Sequence, residues 1–196
     1  MRGRWLAVCS LSAVSFVASA SVASPASNSS VRRGFWLGFG GGLGSAKATC
    51  EACNASKREV DVVGYFNLGG TIHNRLLLGA DVSLWSKDHD GVTLNLYNIM
   101  ATATIYPQPS SNYFLKVGAG GAFIDTDIRQ DSRTITVDLG NGLGLLVGVG
   151  YDFRVWTKAS LTAGANFWYG KKFGGDSFAS SWKQNVVDVT LGFTIH

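Results

Sequence analysis

The stretch YFLKVGAGGAF, residues 113–123, decides the fold. Tyr113, Leu115, Val117, Ala119 and Phe123 fall on one face, and Phe114, Lys116, Gly118, Gly120 and Ala122 on the other. A period of two is extended chain with different surroundings on its two sides. The run LTAGANFWY, residues 161–169, repeats the pattern. Leu161, Ala163, Ala165, Phe167 and Tyr169 oppose Thr162, Gly164, Asn166 and Trp168. The outer face of a soluble barrel meets water and carries Lys and Glu. Here the less apolar face is mostly Gly, Thr and Asn, which suits a crowded polar lumen. The apolar face must then look outward into lipid, as in a transmembrane β-barrel.

Bulk composition agrees. The 196 residues make one domain the natural expectation. Hydrophobic residues reach 46%, charged residues only 15%, and mean hydropathy is +0.14. After the N-terminus no stretch offers the roughly 20 continuous apolar residues that a membrane helix needs. The formal net charge of +4 and pI near 9.1 raise a nucleic-acid reading, but the cations are scattered and form no stripe.

Arg2 and Arg4 precede the short apolar run WLAVCSLSAVSFVASA, and Ala18-Ser19-Ala20 and Ser21-Val22-Ala23 are small-x-small cleavage candidates. Residues 1–23 therefore read as a cleaved signal peptide directing export, residues 24–33 as a polar linker, and residues 34–196 as the barrel domain. Cleavage leaves 15 basic and 13 acidic residues, a net charge of +2. Strands are expected at 34–46, 59–72, 76–87, 92–106, 112–126, 134–152, 157–171 and 183–196, an all-β, eight-stranded antiparallel up-and-down meander. The connections at 73–75, 108–111 and 154–156 are short. Those at 47–58, 127–133 and 172–182 are long and polar, and 88–91 is a tighter exception. Short turns are periplasmic in outer-membrane topology.

Aromatic residues near the strand ends, Tyr106, Tyr113, Tyr151, Phe153 and Trp156, read as an interfacial belt. Gly38, Gly40, Gly42 and Gly44 share the face of Trp36, and Gly140, Gly142, Gly144, Gly148 and Gly150 share another. Inward glycines make room beside inward Trp36, Tyr65, Trp85 and Trp168 in a barrel just filled by side chains. The strand from residue 92 changes phase. Either a bulge lies near Tyr97–Asn98, or Leu94 and Leu96 point inward.

GFWLGFGGGLG as an opening strand, LLLGADVSLW as a third, YFLKVGAGGAF as a fifth and the closing VVDVTLGFTIH resemble the small OmpA/OmpX-type barrels of bacterial outer membranes. The chain departs from that pattern in ending on His196 instead of an aromatic residue. The resemblance implies an outer-membrane location, with partners among outer-membrane lipids and the assembly machinery that inserts such barrels. It names an architecture, not an activity.

Candidate chemistry is sparse. Cys50-Glu51-Ala52-Cys53 reads as a local disulfide in an exported loop, since no second ligand pair or thioredoxin-like context accompanies it. His89 within Asp88-His89-Asp90-Gly91 is first a tight turn, and His73 also sits in a turn. No nucleophile–base constellation, phosphate loop, cofactor motif or metal site stands out, so the chain reads as non-catalytic. The remaining candidates are polar residues on the lumen phase: Asp61, Tyr65, Asn67, Asp81, Lys116, Asn166 and Asp188. They read as a satisfied internal network because unpaired charge in a narrow lumen is costly. A proton or solute path is the alternative. Asp81 and Lys116 should lie at similar depth and pair. The functional reading is a structural, membrane-integrity or surface-interaction barrel acting through its outer loops; the alternative is a minor porin-like passage for small solutes. The extracellular partner is not legible in the sequence.

Overall fold

The computed structural model describes residues 32–50, 57–130, 133–172 and 181–196. The expected signal cleavage sites, Cys53 and the side chain of Cys50 lie outside the described residues. Eight strands follow one another: β1 (Phe35–Cys50), β2 (Glu59–His73), β3 (Leu76–His89), β4 (Val92–Ile105), β5 (Tyr113–Gln130), β6 (Arg133–Trp156), β7 (Ala159–Lys171) and β8 (Trp182–Ile195). Each pairs antiparallel with its neighbours in sequence, and β1 pairs with β8 to close the barrel. Closure leaves no free sheet edge around the wall, which satisfies the backbone without water.

Alternation along the strands produces the two faces. In β5 the side chains of Tyr113, Leu115, Val117 and Ala119 are exposed, while Phe114, Lys116 and Ala122 are buried. Leu143, Leu145, Val147 and Val149 of β6 and Val187, Val189 and Leu191 of β8 form the same apolar exterior. A contiguous apolar belt on the outside and buried Asp, Lys, Asn and Gln on the inside invert the usual soluble arrangement. The outer surface is suited to hydrocarbon, not water.

The Asp90–Gly91 turn joins β3 to β4 with both residues at positive φ, 51° and 79°, the backbone of a two-residue type I′ hairpin. His89 Nε2 lies 3.4 Å from Asp90 Oδ2 on this exposed turn. The phase change in β4 is resolved without a bulge. Its register with β3 and β5 is continuous, and Leu96 points into the barrel, fully buried. Register shifts occur instead at Thr71/His73, at Ile124/Asp125 and at Arg154/Trp156. Gly140, opposite the second of these, takes φ 114°, which a side chain would strain.

Two expectations are corrected. Most of segment 127–133, expected as loop, continues the β5–β6 ladder through Gln130↔Arg133. Among the described residues, 133–142 pair with β5 alone, so this hairpin extends past β7 at the long-loop end. Tyr106, expected in the aromatic belt, is buried and turned inward. Its hydroxyl finds a carboxylate in the lumen, and that bond decides the direction of the ring.

Candidate functional site

Among the described residues, buried polar and charged side chains converge in the lumen, which is filled in three layers. Toward the long-loop end, Trp85, Leu96, Ile124, Trp168, Trp182 and Val186 form an apolar plug with Ala46, Val63 and Ala122. The Trp85 ring fits because Gly44 lacks a side chain: a Cβ there would sit 3.1 Å from Trp85 Cδ1. The indole Nε1 donates to the Gly44 carbonyl at 2.9 Å. Neighbouring strands thus supply complementary halves, a small residue beneath a large one.

The middle layer is polar. Lys116 Nζ lies 3.0 Å from Asp81 Oδ2, with Asp81 almost fully buried. Asp81 also accepts from Ser83 Oγ at 2.5 Å and Asn67 Nδ2 at 3.4 Å. Asp188 accepts from Asn166 Nδ2 at 2.7 Å and from the Trp168 indole N–H. Gln184 Nε2 donates to Asn98 Oδ1 at 3.3 Å. Lys116 Nζ is also 5.7 Å from the Tyr65 ring centroid, so its charge faces an aromatic face as well as a carboxylate.

Of the seven residues singled out in the sequence, Asn67, Asp81 and Lys116 form one cluster, with Tyr65 beside it, and Asn166 and Asp188 form a second. Asp61 stands apart. It shares the inward phase of β2, but its carboxylate accepts from the Val62 backbone N–H at 2.8 Å near the strand's start.

The third layer closes the short-turn end. Trp36, Leu77, Tyr106 and Phe114 pack together. Tyr106 donates to Asp152 Oδ2 at 2.7 Å, and Thr162 Oγ1 donates to Asp152 Oδ1 at 2.8 Å. Arg32, from the segment expected to be linker, inserts its guanidinium here and is buried. It lies 3.5 Å over the Tyr106 ring and donates to the Ser111 carbonyl at 2.8 Å and, at 3.4 Å, to that of Pro109. Its distance to Asp152 is 4.0 Å. Tyr106 follows the end of β4, and burial first, then the Asp152 charge, push its phenol above the ordinary range.

Sequence reasoning missed Arg32, Asp152 and Thr162 as members of this cluster. Asp152 had a readable signal, since it continues the inward phase of Gly148 and Gly150. Arg32 had none, because it lies before any alternation begins.

Between the middle and short-turn layers remains a cavity of about 40 Å³, bordered by Asn67, Thr104, Lys116, Asp152, Thr162 and Asn166. Trp36 Nε1 and Asn67 Oδ1 border it without a protein hydrogen-bond partner. The space is on the scale of one or a few waters and has the polar partners to hold them. It is far below the volume of roughly 300 Å³ or more of a ligand pocket.

Solved structures share this architecture. Neisserial surface protein A aligns over 82% of this chain and 96% of its own, with a TM-score of 0.58 and 18% identity. The fold is that of the small outer-membrane barrels. Two further structures align over 83% of the chain: Ail, the attachment invasion locus protein of Yersinia pestis, and the N-terminal β-barrel domain of Pseudomonas aeruginosa OprF. Ail was solved with the heparin analogue sucrose octasulfate; it covers 99% of its own chain at a TM-score of 0.48 and 9% identity. The OprF domain covers 98% at 0.45 and 13%. No protein-family model and no curated protein sequence matches the chain.

Proposed function

We propose that this chain is a non-catalytic barrel of the bacterial outer membrane, exported through a cleaved signal peptide and inserted by the barrel-assembly machinery. Its wall serves membrane integrity, and its long-loop end meets the surroundings. The observation that carries this reading is the filled lumen inside an apolar exterior. A transport protein of this size needs an open path or a gate, and the described interior offers a Trp-rich plug, a paired charge layer and an arginine-sealed end. The extended β5–β6 hairpin supports a surface role. It exposes Ile128, Ile135 and Val137 beyond the wall of β7, where an exterior partner has access. Isolated apolar side chains are common on surfaces, but a cluster on a projecting hairpin is a contact site in search of a partner.

Purified protein reconstituted in a planar bilayer tests the central point. The filled lumen predicts no discrete conductance steps at concentrations where an open porin gives many. Reproducible steps that vanish when Lys116 or Asp81 is replaced would establish the alternative, a narrow passage through the polar layer.

A further inference from the structure

The long-loop end of the barrel is not uniform around its circumference. Toward β3 and β5 the cations have carboxylate partners: Lys87 lies 3.0 Å from Glu59, and Arg129 3.9 Å from Asp88. On the outside of β8, β1 and β2 the arrangement differs. Lys183 and Asn185 precede exposed Val187 on the outward phase of β8, and Lys47 follows Leu43 and Ser45 on that of β1. Lys47 stands opposite Asn185, and Lys183 stands opposite Thr49 one step higher. Diagonal neighbours of this kind lie about 7–8 Å apart, within reach of long side chains. Arg58, exposed just before β2, joins them across the outside of β1. Its guanidinium donates to the Ser45 carbonyl at 2.7 Å and to the Asn185 side-chain oxygen. Three cations from three adjoining chain segments are thus gathered around Asn185.

Their charge is not balanced locally. The Ser45 and Asn185 groups that hold Arg58 are neutral, and among the described residues no ion pair involves Lys47 or Lys183. Glu59, Asp61 and Asp188 all share the inward phase of their strands, so the described outward positions of β7, β8, β1 and β2 carry no carboxylate. Lys171, opposite Lys183 in β7, has a contact of its own and is left out of the cluster. The flanking sequence keeps the same sign. Residues 45–60 and 167–187 hold Lys47, Lys57, Arg58, Lys171, Lys172 and Lys183 against Glu51, Glu59 and Asp176.

The cluster lies at a defined height. Val60 and Val187 flank Ser45 directly below it, with Leu43 next, and all three apolar side chains are exposed. Tyr169 in β7 stands opposite Asn185. An amphipathic ring at that position marks the boundary between acyl chains and headgroups. Lysine and arginine stems can lie on the apolar surface while their charges stay at that boundary.

We infer that Lys47, Arg58 and Lys183 form an external site for the phosphate group of a membrane lipid whose acyl chains lie along Leu43, Val60 and Val187. This rests on the membrane reading above. Arg58 keeps further N–H donors after bonding Ser45 and Asn185, and charge-assisted bonds to phosphate are the strong kind. Each cation near an anionic lipid favours it by roughly fivefold.

The test titrates protein folded in neutral detergent with phosphatidic acid and counts bound lipid by native mass spectrometry. Diacylglycerol with the same chains and free glycerol phosphate are the comparators. The expected result is uptake of one phosphatidic acid, favoured about 25-fold or more over diacylglycerol, with weaker capture of glycerol phosphate. Lys47→Gln with Lys183→Gln should weaken uptake about 25-fold. Arg129→Gln, on the other side of the rim, should leave it unchanged. All these variants should keep the mobility difference between unheated and boiled samples, since the replaced side chains lie outside the lumen. Equal uptake of phosphatidic acid and diacylglycerol, or uptake indifferent to the lysine pair, overturns the site while leaving the barrel intact. Glycerol phosphate held as tightly as phosphatidic acid overturns it as well, because the chains would then contribute nothing. A monomer soluble without detergent refutes the membrane reading itself, and the inference with it.

Discussion

Lys116→Met removes the cation from the middle of the lumen and leaves the Asp81 carboxylate, 1% exposed, facing the gap. Removing one partner of a buried pair typically costs about 3–5 kcal/mol, because the remaining charge has lost both water and its counter-charge. Here the cost should lie near the lower end, about 3 kcal/mol, since Ser83 and Asn67 still donate to the carboxylate. Asp81→Asn keeps the shape but strands the ammonium, whose other close neighbour is the Tyr65 ring. The double variant, Asp81→Asn with Lys116→Met, removes both charges and should recover about 2 kcal/mol of the summed single losses. Urea-induced unfolding of the protein folded in vesicles, followed by tryptophan fluorescence and by the mobility difference between unheated and boiled samples, gives all four corners of the cycle. Additive losses within about 0.5 kcal/mol would mean that the two groups do not stabilise one another. The description of the lumen as a charge-paired plug would then fall.

Other consequences are as direct. Arg at Val147, on the apolar exterior, should cost about 2–4 kcal/mol near the bilayer midplane. Arg at Thr162, buried in the lumen, should act through crowding and through Asp152, so identical tolerance at the two sites would contradict the assigned faces. Arg32→Ala breaks the donation to the Ser111 and Pro109 carbonyls and the contact with Tyr106, and should lower stability by about 1–3 kcal/mol, with faster amide exchange at residues 106–112; an unchanged exchange rate would argue against a docked arginine. The Tyr106 phenol is raised above its ordinary value of 10.0, so above that pH the unfolded chain releases this proton before the folded one does. Its contribution is complete below pH 10 and declines as pH rises further, and Tyr106→Phe should flatten the alkaline decline in unfolding free energy. Cys50 and Cys53 should react with an impermeant thiol reagent on intact cells only after reduction, and labelling without reductant would show free thiols.

What the sequence revealed and what it hid follow from the range of the interactions involved. The barrel was legible because alternation is local: Leu143, Leu145, Val147 and Val149 declare an outward face without reference to any other strand. Closure follows once that face must meet lipid, since an open sheet edge is not tolerated there, and the strand count follows from the number of alternating segments. The depth match of Asp81 and Lys116 was also readable, because both positions count from the short-turn ends of their strands. Leu96 shows where local reading divides. A leucine in the wrong phase means either a bulge or an inward apolar layer, and only Trp85, Trp168 and Trp182 arriving from three other strands select the second. Arg32 lies outside local reasoning altogether, whereas Tyr106 continues the inward phase of Thr102 and Thr104 and its position at a strand end masks that signal. A tyrosine at a strand end resembles a belt residue until a buried carboxylate 46 positions away offers its hydroxyl a partner. Once Tyr106 turns inward, its ring and the carbonyls of Pro109 and Ser111 make a seat for a guanidinium, which the chain entering β1 supplies. The seal at the short-turn end is thus completed by Arg32, which carries no periodic signal.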